Sequence, residues 1–500
     1  GFDLSASRYT PSSTLQRMEL LKTGYMGTLS LGWDNYLFLE LTGRQERSST
    51  LKDQSFFYPS ANLSFLFTQA FHMPSWWNYG KLRLSYGIVG NAPETYTANI
   101  VYEQGSDNGF TWNTIPSSWG NADIRPEKKY EYEIGLESKF LNNRLGIDVS
   151  YYNNRVKDQI LSTPQPSTSG VKNVLMNVGE VANHGWDISI SATPILTRDF
   201  RWDLTANYGI YRNKVVKLAD GVPYLEILNS GGSGIKIQAV EGQPMGDIYA
   251  QVPQVNENGE YLVSDKGLYL NQTELQKVGN INPAGVGGLF NSFSYKNVFL
   301  DFSIDFRIGG DVINEMNQYA TAVGLTPESL KYRDTEHGGL SYYYPGDNNS
   351  SGIPVQVDPS TGVGPNGEII YHDGIILPGV VASTGERNTR IIPAGYYYNT
   401  TYNWGTEAEQ LTYRHSVFDN SYVKLRELTI GYQFPEKMIS KLGLGRLSVS
   451  VFGRNLFYFY KALKNYDAES SVGTSWANQA TVGSSTTATR SFGVSLRASF

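Results

Sequence analysis

Residues 130–161 read YEYEIGLESKFLNNRLGIDVSYYNNRVKDQIL, a stretch in which apolar and polar side chains take turns. Tyr130, Tyr132, Ile134, Leu136 and Phe140 fall on one face of an extended chain, with Glu131, Glu133, Gly135, Glu137 and Lys139 on the other. After the tight Leu141-Asn142-Asn143-Arg144 turn, Leu145, Ile147, Val149 and Tyr151 continue the apolar face, opposite Asp148 and Ser150. The stretch predicts one antiparallel hairpin, longer than a soluble domain ordinarily uses. A wall greasy on one side and charged on the other fits two architectures. A soluble sandwich covers its apolar face with a second sheet; a transmembrane barrel turns that face to lipid and the charged one to water.

The same period recurs outward from the hairpin. Gly27, Leu29, Leu31 and Trp33 run to a turn at Asp34-Asn35, and Leu37, Leu39 and Leu41 return from it. Further strands are expected within 56–67, 81–90, 186–192, 202–210, 289–295, 298–308, 423–434, 447–451 and 492–500, giving about 13 in all. Between Leu425 and Leu428 the apolar parity shifts, which predicts a bulge near Arg426-Glu427. Connections near 34, 141, 194, 296 and 435 are short, whereas those starting near 91, 159, 214, 310 and 459 are long, and the two kinds alternate. Outer-membrane barrels are joined in this way, by tight periplasmic turns and long extracellular loops. A sandwich has no reason to gather every long loop at one end. The fold class read here is therefore all-β, an antiparallel up-and-down transmembrane β-barrel. Because bacterial single-chain barrels use even strand numbers, the strands that complete the wall are expected upstream of this sequence.

Composition agrees. The net charge of −6 is spread without a basic stripe, which argues against nucleic-acid binding. Aromatics make up 13% of the chain, with 35 Tyr, an excess suited to interfacial girdles and to stacking loops. There is no cysteine, which is compatible with an oxidising envelope compartment. Mean hydropathy is −0.34 and no run of 18 apolar residues occurs, so transmembrane helices are excluded while a barrel is not.

The residues that could carry chemistry have plainer readings. Glu131, Glu133 and Glu137 opposite Asp148 suggest the paired carboxylates of a glycosidase, but hydrated lumen charges paired with Lys139 and Arg144 explain them better. The histidines at 72, 184, 337, 372 and 415 show no metal-binding spacing. Asp347-Asn348-Asn349 and Asp373-Gly374 offer oxygens to calcium, yet turn chemistry explains them more simply. Trp33, Trp186, Trp202 and Tyr295 are expected beside short turns as interfacial anchors. Tyr342, Tyr343, Tyr344, Tyr396, Tyr397, Tyr398 and Trp404 lie in the longest loop, where they either stack on a ligand or partner or pack against one another. No catalytic residue, cofactor or metal is assigned.

Several blocks carry a family resemblance: YLFLELTGRQERSSTL from Tyr36, FFYPSANLSF from Phe56, KLRLSYGIVGN from Lys81 and the hairpin from Pro126 to Leu161. NVGEVANHGWDISI from Asn177, EGQPMGDIY from Glu241, GNINPAGVGGLFNSFSYKN from Gly279, SYVKLRELTIGYQFP from Ser421 and FGRNLF from Phe452 follow in order. From about Gly24 to Phe500 the chain resembles the C-terminal barrel portion of the SusC/RagA-type TonB-dependent outer-membrane transporters of the Bacteroidota. One departure is Gln45-Glu46 after Arg44, where the family often has Asn-Asp or Asp-Gly. The resemblance implies that residues 1–500 form the later part of one barrel of about 22 strands, whose plug, TonB box and early strands lie outside this sequence. It further implies import of oligosaccharides or oligopeptides and no enzymatic activity. The implied partners are a SusD-like surface lipoprotein acting as a lid, the TonB complex reached through the N-terminal part, and outer-membrane lipid. Tyr342–Tyr344, Tyr396–Tyr398 and Trp404 would then meet the lid or the substrate. Two other classes stand beside this reading: a barrel-anchored adhesin whose loops bind partners, and an envelope glycosidase, which would need carboxylates converging in one cleft.

Overall fold

The computed structural model describes residues 17–52, 55–107, 110–165, 167–230, 234–346, 352–403, 412–440, 443–470, 475–483 and 488–499. Trp404, Asp347, Asn348, Asn349 and Phe500 lie outside the described residues. Thirteen strands form one antiparallel sheet in which each pairs only with its neighbours in the chain. They are β1 (Lys22–Trp33), β2 (Leu37–Ser48), β3 (Ser55–Phe65), β4 (Trp77–Asn91), β5 (Glu127–Phe140), β6 (Leu145–Lys157) and β7 (Glu180–Leu196). Then follow β8 (Phe200–Lys217), β9 (Gly285–Tyr295), β10 (Val298–Ile308), β11 (Tyr422–Gln433), β12 (Arg446–Lys461) and β13 (Ser491–Ser499). Among the described residues β1 and β13 are open edges, so the wall is a strip that does not close on itself.

Local chemistry sets the turns. Asp34 and Asn35 take left-handed φ of 49° and 59°, and the Tyr36 amide donates to the Trp33 carbonyl at 3.2 Å. That geometry matches the right-handed twist of the flanking strands. Leu141, Asn142 and Asn143 repeat it at 55°, 58° and 62°, and Lys296 at 52°. The β5–β6 register pairs Ile134 with Tyr151 and Leu136 with Val149, as the alternation of the hairpin requires.

Exposure decides between the two candidate architectures. Ile134 is 47% and Leu136 43% exposed, while Gly135 on the other face is buried. Among the described residues no second sheet covers the apolar face, so the sandwich fails and the barrel wall stands. No described helix is long and apolar enough to cross a membrane.

Two irregularities re-aim side chains. Ser303 pairs with Glu427 and Ile304 with Leu425, leaving Arg426 as the unpaired extra residue of a bulge at the predicted place. β7 runs on to Leu196 with a register shift between Ala192 and Ile195, so Pro194 is carried inside the strand and the turn shrinks to 197–199. A bulge tolerates the missing amide of proline.

The aromatic anchors lie in two belts. Trp33, Trp202 and Tyr295 sit beside short turns, as expected. Trp186 does not: it is ten residues before the end of β7, beside the long-loop end, and its ring lies 4.9 Å from that of Tyr151. Tyr86, Tyr132, Tyr151, Trp186, Tyr208 and Phe306 continue this upper belt from β4 to β10. Between Trp202 and the partner of Trp186, Ile210, β8 advances eight residues, about 27 Å along the strand. Tilt reduces that to roughly 20 Å, close to the apolar band of a membrane barrel.

The long connections are not irregular loops. Residues 218–284 hold a four-stranded sheet of Tyr224–Ser230, Ile235–Val240, Asp247–Ala250 and Gln276–Asn280. Residues 309–421 hold the helices Glu315–Ala322 and Ala394–Tyr402, with a sheet of Val355–Gln356, Leu340–Tyr343, Tyr371–Ile375 and Ile392–Pro393. Ile235, Ile237, Ile248, Ile313, Val417, Ala477 and Ala480 bury one core contributed by three connections, which joins them into a cap at one end of the wall. Members of this core lie as far apart in the sequence as Ile235 and Ala480, which is why no local period announces it.

Candidate functional site

The polar face of the wall and the cap above it are the surfaces a solute would meet. On the wall, β4 contributes Arg83, whose guanidinium donates to both carboxylate oxygens of Asp148 (3.1 and 2.6 Å) and to the Ser150 hydroxyl (3.1 Å). Glu137 lies 3.6 Å from the same guanidinium and 3.9 Å from Lys139, and Glu131 pairs with Lys129 at 2.5 Å. Arg144, expected to pair with these carboxylates, instead donates to the carbonyls of Thr193 and Pro194. It caps the bulged end of β7, and Arg83 takes the expected role. With Glu131, Glu137 and Asp148 each held by a cation, these carboxylates serve as lumen charge.

A ladder of hydrogen bonds crosses four strands at the height of the cap. Asn154 donates to Glu131 (3.0 Å), Asn183 to Asn154 (2.7 Å) and the Tyr211 hydroxyl to Asn183 (3.0 Å). Asn213 donates to that hydroxyl (3.2 Å) and accepts from the Met245 amide of the cap (2.7 Å). Across strands β6–β11 of the wall a recess of about 630 Å³ is lined by Asp148, Asp187, Asp305, Asn207 and Tyr422.

The bulge builds the other node. Lys424 pairs across to Asp305 in register, and the extra residue turns Arg426 to the same face, where it donates to Asp305 at 2.6 Å. Arg426 also binds both oxygens of Glu469 (2.9 and 2.5 Å) and Asn455 (3.0 Å). Lys424, 2% exposed, reaches Glu469 at 2.5 Å and lies 4.8 Å from the Tyr458 ring, while the Tyr458 hydroxyl donates to Asp467 at 2.5 Å. The connection 462–490 is thereby tied onto the polar face. The parity break in the sequence signalled the bulge; nothing local signalled Glu469 or Asp467 as its partners.

The cap tyrosines are divided by burial. Tyr342 is 1% and Tyr344 5% exposed, packed with Ile391 and Tyr371, and the Tyr342 hydroxyl donates to Asp373 at 3.1 Å. Burial, then the Asp373 charge, pushes the Tyr342 phenol far above its usual range. Tyr398 is 5% exposed and donates to the Glu328 carbonyl at 2.7 Å. Tyr402 stacks on His415 with ring centres 4.3 Å apart, and burial, helped by Arg414, depresses His415 to about 4. Tyr397 packs on Tyr398 and Tyr402, and Tyr343 and Tyr396 are part-exposed. The two triplets are thus brought into one cap but not into one surface. Among the described residues no group of His, Cys, Asp and Glu is arranged to hold a metal.

A family model for the TonB-dependent receptor-like β-barrel matches residues 5–253. The chain belongs to the TonB-dependent receptor β-barrel family. Such barrels are outer-membrane proteins, and the charged face described above is the lumen of the receptor barrel. TonB-dependent receptor P3 of Formosa agariphila is 24% identical over 494 residues, covering 90% of this chain and 42% of that protein. TonB-dependent receptor SusC of Bacteroides thetaiotaomicron is 30% identical over 247 residues, 45% of this chain and 24% of its own length. In architecture the barrel is similar to a chain of the RagAB peptide transporter, with TM-score 0.65 and 19% identity over 91% of this chain and 46% of that one. The chain therefore spans less than half the length of the relatives it matches.

Proposed function

We propose that the chain is the lumen wall and extracellular cap of an active importer, which moves oligosaccharides or oligopeptides across the outer membrane under TonB control. The observation that carries this reading is the polar wall itself: bidentate ion pairs, an amide and hydroxyl ladder and a recess of about 630 Å³, all beneath a folded cap. Fixed donors and acceptors of this kind suit hydroxyl- or amide-rich solutes, which lose water on entry and need replacement hydrogen bonds. A plug and the strands that close the wall belong to the same proposal, as does a SusD-like surface lipoprotein seated on the cap. Likeness to SusC and to the RagAB peptide transporter supports that partnership. Tyr343, Tyr396 and Tyr397 are the members of the two triplets that retain accessible surface for the lipoprotein or the solute, while Tyr342, Tyr344 and Tyr398 are buried beside them.

The test is excision of residues 335–405 from the full-length protein. This leaves Ile313, Tyr413 and Val417 of the main cap core in place. The expected result is an assembled barrel that no longer co-purifies with its lipoprotein or no longer supports uptake. Survival of both activities would reduce the segment to a shield.

A further inference from the structure

The connection between β4 and β5 carries a ribbon that no other described segment covers. Glu103–Asp107 and Phe110–Thr114 pair as an antiparallel hairpin, and all five residues of the second strand are exposed. Its base is fixed on both sides. Ala98 and Ile124 are buried with Leu51 and Phe56, at the long-loop end of β2 and β3. Trp119 pairs with Val174, and the Tyr102 ring lies 5.8 Å from that of Trp119.

Register sets which side chains share a face. Glu103 is opposite Thr114 and Gly105 opposite Trp112, so Glu103, Phe110, Trp112 and Thr114 lie on one side and Gln104 and Asn113 on the other. A Cβ on Gly105 would come within 2.6 Å of Trp112 Cε2 and 2.7 Å of its Cζ2 and Nε1. The indole therefore rests across the glycine backbone, with Trp112 still 46% exposed. Phe110 is 78% exposed on the same side, about 7 Å further along the strand.

The chemistry of the ribbon selects its ligand. Large rings held open to water mark a surface that something else covers. A two-stranded ribbon exposed on both faces has no concave pocket of the kind that seats a protein's anchor residue. It offers instead a row of rings edged by the Glu103 carboxylate and the Thr114 hydroxyl. The C–H faces of pyranose rings carry partial positive charge, which suits the negative face of an aromatic ring, and their edge hydroxyls donate to carboxylate oxygens. The hairpin contains Glu103 and Asp107 but no Lys or Arg, so a chain bearing uronate or sulfate would meet like charge.

We propose that Trp112 and Phe110 form a stacking platform for a neutral polysaccharide, an outer site that holds the polymer beside the mouth of the barrel. The site shares with the import reading only the outward placement of the long connections and uses none of the lumen chemistry.

The experiment is affinity electrophoresis of the full-length protein in detergent, through native gels containing amylopectin, laminarin or arabinoxylan, with alginate as the acidic contrast. At least one neutral gel should retard the parent and alginate should not. W112A and F110A should each weaken binding about fivefold, W112F should restore most of it, and N113A, on the opposite face, should match the parent. Heat-modifiable mobility verifies folding; if W112A fails it, F110A is read against N113A instead. A parent that no neutral gel retards, equal retardation of the parent and both ring variants, or retardation by alginate as strong as by the neutral gels would overturn the platform. So would loss of lipoprotein co-purification in W112A without any change in the gels, which would assign the rings to a protein partner. Each of these results leaves the import reading to its own test, the 335–405 excision.

Discussion

Arg426 shows how much one residue does here. As the extra member of a bulge it lets Lys424, Arg426 and Glu427 share the lumen face. Removing it leaves Leu425 and Glu427 adjacent on the faces they already occupy, because their partners Ile304 and Ser303 are themselves consecutive; what is lost is the set of contacts from Arg426 to Asp305 and Glu469. Deleting Arg426 should therefore retain the heat-modifiable barrel band, as should Arg426→Gln, while limited proteolysis within 462–490 accelerates in both. Loss of the band on deletion alone would show that the bulge itself is required. Ile304 faces lipid between Leu300, level with Trp202 and Phe293 of the lower belt, and Phe306 in the upper. Ile304→Arg should destabilise by about 2–4 kcal/mol, and Ser303→Arg, facing the lumen, far less. Urea unfolding in liposomes measures both, and equal losses would contradict the assigned faces. Ser150 makes a poorer lumen control than Ser303, because its hydroxyl is already 3.1 Å from the Arg83 guanidinium.

Among the elements, the cap segment 309–421 has a measurable pH response. His415 is stacked on Tyr402, and its pKa falls from 6.5 to about 4 because burial disfavours the charged ring. The neutral ring is thus favoured in the folded cap, and its stabilisation is complete above pH 6.5. It is lost as pH falls towards about 4, because the unfolded segment then binds the extra proton. The span corresponds to on the order of 3 kcal/mol. Asp311, pushed up by burial, acts in the opposite sense, gaining as pH falls. Limited proteolysis of the segment should therefore accelerate between pH 7 and 4.5, and His415→Phe should flatten that slope. An unchanged slope in the variant would assign the response to other groups. The cap also illustrates what sequence patterning omits: its strands are two to seven residues long and its cores join distant residues, so no period of two accumulates.

For the whole molecule, topology predicts orientation. The chain has no cysteine, so one introduced residue is a unique label in it. Val363→Cys, on an exposed position of the cap, should react with an impermeant maleimide on intact cells, and Arg198→Cys, in the short turn after β7, should not. The reverse pattern would invert the barrel. The sequence by itself determined what depends on neighbours along the chain. Strand alternation, the left-handed turns at Asp34-Asn35 and Leu141-Asn142-Asn143, the parity slip at Arg426 and the taking of turns between short and long connections are all local, and they suffice for a membrane barrel. Tertiary structure alone decided what depends on distant residues. It buried Tyr342, Tyr344 and Tyr398 instead of exposing them, folded three connections into one cap, and moved Trp186 to the upper belt. It paired Asp148 with Arg83, 65 positions away, rather than with nearby Arg144. The reason is physical: alternation is set by backbone geometry within a strand, whereas the partner of a charge or a ring is set by which strand or connection the chain returns beside it.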